Sequence, residues 1–409
     1  MKLQGLRVVD LSLFLPGPLM TQFMADHGAE VIKVESLREG EPNRQIGEKR
    51  GGVSVYFANT HRGKKSLALD LKDPAGIEVL MRLAEKSDVL VEAFRPGVAE
   101  RLGFGYRQVA ARAPRIVYAS IAAFGQSGPY RNLAAHDLAT EAMTGVLSLN
   151  RGADGKPAMP ALANADMLAS MMALSGVLMA LLRRKDTGKG DYLDIAMADS
   201  LLACLPNNMG TAMSARRQPV LAEERALGGN ALYNIYATKD GDFIVLAGQE
   251  RKFAVNLLTA LGRPDLVAPC GLPPGPGQDP VREFLRDAFR RKTKQEWVEW
   301  FNGKDIAFAP LQTLPEVLED PHFKARGMVL KDARGWDHLG VPIKFADEPG
   351  RANFRSPARG EHSSQILRSL GYAEHEIAKL KEQGVIKDAI PEDVAAHAGE
   401  PGNGSEKPR

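Results

Sequence analysis

The chain opens with a β-branched apolar run, Leu6 to Leu11 (LRVVDL), which stops at the turn LPGP over Leu15 to Pro18. Apolar positions then recur at helical spacing through MTQFMADH and end at Gly28, a natural helix C-cap. A second short run, AEVIKVE, follows with Glu35 at its end. Strand, turn, helix and strand within about thirty residues predict a βαβ unit and therefore a parallel sheet. The pattern repeats. SLALDL, DVLVEAF and RIVYASIAAFG read as further buried strands, and AGIEVLMRLAEKS, opened by Asp73-Pro74, reads as a helix between them. The longest apolar run, Met167 to Leu182, is shorter than a bilayer span and predicts a buried core helix, followed by the strand YLDIAM.

Between these elements lie two polar stretches. Residues 36–54 are Gly-rich and charged and read as a mobile surface loop. Residues 207–227 read as a linker. From 228 to 320 the pattern changes: ALYNIYATKDGDFIVLAG predicts a hairpin turning at Lys239-Asp240-Gly241, followed by helices through Trp297 and Trp300. The expected division is a large α/β, Rossmann-like domain with a parallel sheet over 1–206, a smaller α+β domain over 228–320, and a return segment over 321–390 that completes the large domain. Residues 391–409 have the composition of a disordered tail.

Composition narrows the function classes. A length of 409 residues implies two domains. The 44% hydrophobic and 25% charged content is that of a soluble globular protein. A net charge of +3 leaves anion binding to local patches, and 6% aromatics away from the basic clusters argue against a nucleic-acid surface. No membrane association is expected. Cys204 and Cys270 stand in no redox or metal spacing, which suits a reducing, cytoplasmic setting without a metal site. HExxH, GxSxG and phosphate-loop patterns are missing, and the first βα turn is Pro-rich where a dinucleotide site needs GxGxxG.

Candidate chemistry sits at strand ends and helix starts. Arg62, Lys64 and Lys65 precede one strand and an Arg-Pro-Gly turn follows another; together they suggest an anionic ligand such as a phosphate. Asp166 stands at the start of the long apolar helix, where it reads either as an N-cap or as a carboxylate held ionised by the helix end and able to attack an acyl group or move a proton. His136 precedes LATEAMTGVLSL and reads as a cap or as a neutral base; its neighbour Asp137 is an equal candidate for the cap. Pattern alone leaves these alternatives open.

Several segments in order are similar to one known family: LQGLRVVDLS, MADHGAEVIKVE, RGKKSLALDLK, FRPGVAERLGFGY, FGQSGPY, RRKDTGKGDYLDIAM, DIAFAPLQTLPEVLEDPHF and HSSQILRSLGYAEHEIAKL. From Leu3 to Ile386 the chain resembles the class III CoA-transferases, whose superfamily includes formyl-CoA transferases, carnitine CoA-transferases and α-methylacyl-CoA racemases. The resemblance implies an interlocked homodimer, a CoA thioester as substrate without a covalently bound cofactor, and CoA lying along the strand ends. It places Leu15, Pro16, Leu69, Asp70, Leu71, Lys72, Ala93, Phe94, Arg95, Arg101, Ala135 and Asp137 at CoA-contacting positions. Asp166 matches the family's catalytic aspartate, and Glu250 a glutamate found in both branches. The first reaction implied is CoA transfer from an acyl-CoA to a carboxylic acid through Asp166. The alternative is racemisation of a 2-methylacyl-CoA by His136 and Asp166, and a non-catalytic CoA-binding role is the third class. The chain departs from the transferases in two places. Gly228-Gly229-Asn230 lacks the glycine run that follows in formyl-CoA transferases, and His136 stands where transferases tend to carry tyrosine and racemases histidine. Ala93 replaces the asparagine common before FRPG.

Overall fold

The computed structural model describes residues 1–152 and 154–389; the expected tail, 391–409, lies outside them. Two compact units divide the chain: 1–204 with 321 onwards, and 205–320.

The first unit is built on a seven-stranded sheet. Its strands are β1 (Arg7–Asp10), β2 (Glu30–Glu35), β3 (Lys65–Leu69), β4 (Val89–Glu92), β5 (Val117–Ala122), β6 (Asp191–Ala196) and β7 (Ile386–Lys387). They lie in the order β7-β3-β2-β1-β4-β5-β6. All pairs are parallel except β7 against β3, which is antiparallel. Both faces of the central strands are covered, which is why they read as continuous apolar runs and not as alternating ones. Val8 and Val9 on β1 are both fully buried but point to opposite cores. Val8 joins Val89, Val117, Met20 and Met24 on the face covered by α1 (Pro16–Asp26). Two further helices matter to the site: α2 (Asp137–Met143) and α3 (Asn164–Thr187).

α3 buries Ala165, Ala169, Ala173, Val177 and Leu181 in that same core, a stripe recurring every four residues. The expected fully buried helix is corrected in part: Met172, Leu178, Met179 and Leu182 on its other side are exposed. By length and composition α3 would also pass for a membrane span, yet one side of it packs on the sheet.

Three further readings change. The loop 36–54 is not simply a surface loop, because Glu41 and Asn43 are fully buried. Glu41 pairs with the buried Lys33 at 2.9 Å, and Arg44 pairs with Glu35 at 2.7 Å. The basic cluster is not an open anion site either. Arg62 is held by Asp26 at 2.7 Å, Lys64 by Asp10 at 3.1 Å, and Lys65 by Glu30 at 2.5 Å. Each charge is neutralised by a partner distant in sequence, which a scan for local clusters does not see. Residues 207–227, expected as a linker, carry a helix over Gly210–Ala215 and belong to the second unit.

In that unit the hairpin Tyr233–Ala237 and Phe243–Ala247 forms as predicted, with Gly241 supplying the positive φ (81°) of the turn. Phe308–Pro310 adds a third strand, and Trp297, Phe289 and Phe301 fill the core beneath.

Candidate active site

β1, β4 and β5 are neighbours in the sheet, and the segments that leave their C-terminal ends surround a cavity of about 620 Å3. Open parallel sheets place ligand sites at such strand ends. From β1 come Leu13, Phe14 and Pro16; from β4, Ala93 to Pro96; from β5, Ala123 and Phe124. Arg131, Ala135 and His136 close one side, and Asp166 and Met197 line it as well.

Of the residues singled out from sequence, Pro16, Ala93, Phe94, Arg95, Ala135, His136 and Asp166 meet here. Leu15 and Asp137 are chain neighbours of lining residues. Leu69 to Lys72 leave the end of β3, two strands away from β1. Leu69 is buried in the core and paired with Ile386 in the sheet, while Asp70 accepts a hydrogen bond from the Lys72 N–H (2.9 Å). Arg101 is exposed on the helix Val98–Leu102. Glu250 lies in the second unit and lines a separate cavity of about 470 Å3 with Arg225, Tyr233 and Gln249.

The start of α3 differs from expectation in an instructive way. Asp166 is not the N-cap: the helix begins at Asn164, which makes Asp166 its third residue. The free N–H groups there are taken by α2. Asp137 Oδ1 accepts from the N–H of Ala165 (2.8 Å) and of Asp166 (3.2 Å), and Glu141 accepts from the N–H of Asn164 (3.2 Å). Asp137 is therefore a cap, but of a helix that begins 27 residues further on. Asp166 makes no side-chain hydrogen bond among the described residues. Burial first, and then the charge of Asp137, push its carboxyl up to about 7. The expectation that the helix end holds Asp166 ionised is thus overturned, since the free N–H groups of that end donate to Asp137 and Glu141.

His136 precedes α2 and is exposed to the cavity. Its ring meets the Phe14 ring edge-on, with centroids 5.4 Å apart. Glu92, at the end of β4, is a second carboxyl pushed up to about 7 by burial. It accepts from the Phe94 N–H (2.8 Å) and so holds the Ala93–Arg95 turn from below.

Sequence reading missed Phe14, Tyr56, Arg131 and Met197. Tyr56 lies within electrostatic reach of Asp166: burial, then Asp166 and Glu41, push its phenol up to about 12. Arg131 brings a second guanidinium to the cavity beside Arg95, and neither is ion-paired among the described residues. The only available signal for Arg131 was its position five residues before His136. Among the described residues no group of His, Cys, Asp and Glu is arranged to hold a metal.

Fold and cavity together place the chain among known proteins. Residues 3–363 match the model of CoA-transferase family III, and the chain belongs to that family. It is 33% identical to alpha-methylacyl-CoA racemase from Homo sapiens, over 95% of this chain and 98% of the relative. It is 31% identical to succinyl-CoA:glutarate CoA-transferase from Mus musculus, over 94% and 90%. A CAIB/BAIF family protein from Brucella suis has a crystal structure that superposes with a TM-score of 0.77 at 30% identity, covering 90% of this chain and 99% of that one.

Proposed function

We propose that the protein binds an acyl-CoA in the strand-end cavity and exchanges the proton on the carbon next to the thioester, so racemising a 2-methylacyl-CoA. The observation that carries this reading is that Asp166 and His136 line one cavity, with the Asp166 carboxyl pushed up to about 7. A group of that pKa gives and takes protons with equal ease at neutral pH, which is the property a general acid–base needs. One of the pair removes the α-proton, the thioester carbonyl takes up the electron pair as an enolate, and the other returns a proton to the opposite face. Arg95 and Arg131 supply positive charge for the phosphates of CoA.

Transfer of CoA to a carboxylic acid is the second reading, favoured by the family and by relatives such as the succinyl-CoA:glutarate CoA-transferase. In it the Asp166 carboxylate attacks the thioester carbonyl and expels the CoA thiolate to leave a mixed anhydride. The thiolate then attacks the aspartyl carbonyl and releases the acyl group as its carboxylate, leaving an aspartyl-CoA thioester. The acceptor carboxylate attacks this thioester and expels the thiolate, which attacks the acceptor carbonyl of the new anhydride to give acceptor-CoA and free Asp166.

Incubation with a 2-methylacyl-CoA in D2O separates the two. We expect α-deuterium to enter without any acceptor acid, and the exchange to fall about 10²- to 10⁴-fold, to a residual rate, in Asp166→Asn and in His136→Gln. Absence of exchange, together with acceptor-dependent movement of CoA, would establish transfer instead.

The proposed assembly is a homodimer. The exposed apolar side of α3, Met172, Leu178, Met179 and Leu182, is a surface such a partner would cover. Light scattering is expected to give about twice the 44.4 kDa chain mass, and a monomer mass would reject it. The free thiols Cys204 and Cys270 fit the proposed cytoplasmic setting.

A further inference from the structure

Phe14 has φ of 62°, one of three non-glycine residues with positive φ among those described. The left-handed region crowds a Cβ against the backbone, so a residue there needs to be held. Two fully buried side chains from the loop after β2 do the holding. Glu41 Oε1 accepts from the Phe14 N–H (3.0 Å), and the Asn43 side-chain amide donates to the Phe14 carbonyl. Glu41 is fixed in turn through its other oxygen, which pairs with the buried Lys33 at 2.9 Å.

The clamp decides where the Phe14 ring goes, and that ring stands edge-on to His136 at an interplanar angle of 84°. Among the described residues the imidazole makes no side-chain hydrogen bond, and the one ring that meets it, edge-on, is that of Phe14. Its orientation in the cavity is therefore set by packing and not by a polar partner.

From these contacts we infer that Phe14, clamped by Glu41 and Asn43, is a positioning residue for His136. The inference rests on the reading that His136 moves the α-proton. Phe14 touches the imidazole and holds it at the angle from which it reaches the substrate carbon. Loss of the ring leaves the imidazole free to rotate, which lowers turnover beyond any change in thioester binding from the altered cavity wall.

The test uses the full chain with Phe14→Leu, Phe14→Tyr and Asn43→Ala, each alone and Phe14→Leu also in the His136→Gln background. NMR of 13C-labelled histidine reads the imidazole without turnover. Phe14→Leu and Asn43→Ala are expected to shift the His136 ring signal while leaving the signals of the other histidines in place. Phe14→Tyr, which keeps the ring, is expected to restore it. In α-deuterium exchange, Phe14→Leu should lower kcat about tenfold or more, separately from any change in KM caused by the altered cavity wall, and should have no further effect on kcat when His136 is already glutamine. If the His136 signal stays in place, or if Phe14→Leu lowers the residual rate equally with and without His136, the inference is wrong. Wild-type protein that shows no exchange overturns the racemase reading instead, and the NMR signal then still decides whether Phe14 orients the imidazole. If Asn43→Ala does not fold, Phe14→Leu alone carries the decision.

Discussion

Asp166→Asn is expected to lower turnover by orders of magnitude and at the same time to make the protein more stable at pH 8. Loss of a positioned acid–base group costs about 10²- to 10⁴-fold in rate. The stability gain follows from the raised pKa. The Asp166 carboxyl moves from 3.8 to about 7, because burial first and Asp137 second disfavour its charge. The folded state therefore favours the protonated form. That preference is fully expressed below pH 3.8 and is lost as pH rises through 7, where the folded protein must carry a buried charge. The rise from 3.8 to about 7 corresponds to about 4 kcal/mol as a ceiling. Partial solvation of the carboxyl reduces this to about 2–4 kcal/mol at pH 8. Asparagine mimics the neutral acid, so its advantage should shrink to less than half at pH 5. Urea unfolding at the two pH values reads it directly. An equal difference at both would mean that the ionised carboxyl is not strained.

That strain arises from groups far apart in sequence, and this marks where sequence reading stopped. β1, α1 and β2 were legible because a strand buried on both faces leaves an unbroken apolar run, and Gly28 marks the helix end. His136 and Asp166 were legible as ionisable side chains at helix starts. Their division of labour was not. Asp137 reaches across to the α3 backbone, and only the packing of α2 on α3 tells which carboxylate takes the helix N–H groups and which is left desolvated. The charged residues were misread for the same reason. Lys64 and Arg62 look like surface cations in RGKKSLALDL, but the parallel sheet brings Asp10 to the first, and α1 brings Asp26 to the second. Residues 41 to 44 look like polar loop, yet they close the cluster around Lys33. Periodicity reports which face of an element is apolar; it does not report which distant charge arrives there.

Lys33→Met should be among the most destabilising single changes in this protein. Lys33 is fully buried on β2, 2.9 Å from Glu41 and 3.8 Å from Asp10, and it donates to the Ser12 carbonyl. Burial alone would push Asp10 up, but Lys33 and Lys64, helped by the hydroxyls of Ser12 and Thr21, hold it well below the ordinary carboxylate range. Removing Lys33 leaves two buried carboxylates facing one remaining ammonium, Lys64. Breaking a buried ion pair from one side costs about 3–5 kcal/mol. Lys65→Met is the control: its pair with Glu30 is one-third exposed on both sides, and such pairs contribute about 0–1 kcal/mol. The pH dependence has a definite sign. A depressed Asp10 stabilises the wild type above pH 3.8, and this is lost only as pH falls through its low folded value. Without Lys33 the Asp10 pKa rises, so the variant binds a proton sooner, and its deficit should be smaller at pH 5 than at pH 8. Chemical denaturation of both variants at the two pH values checks this. A Lys33→Met cost no larger than that of Lys65→Met would mean the buried cluster carries little of the fold's stability. The same substitution also frees Glu41 from its anchor. The Phe14 clamp then loosens along with the fold, and the His136 ring signal should broaden in whatever fraction of the variant remains folded.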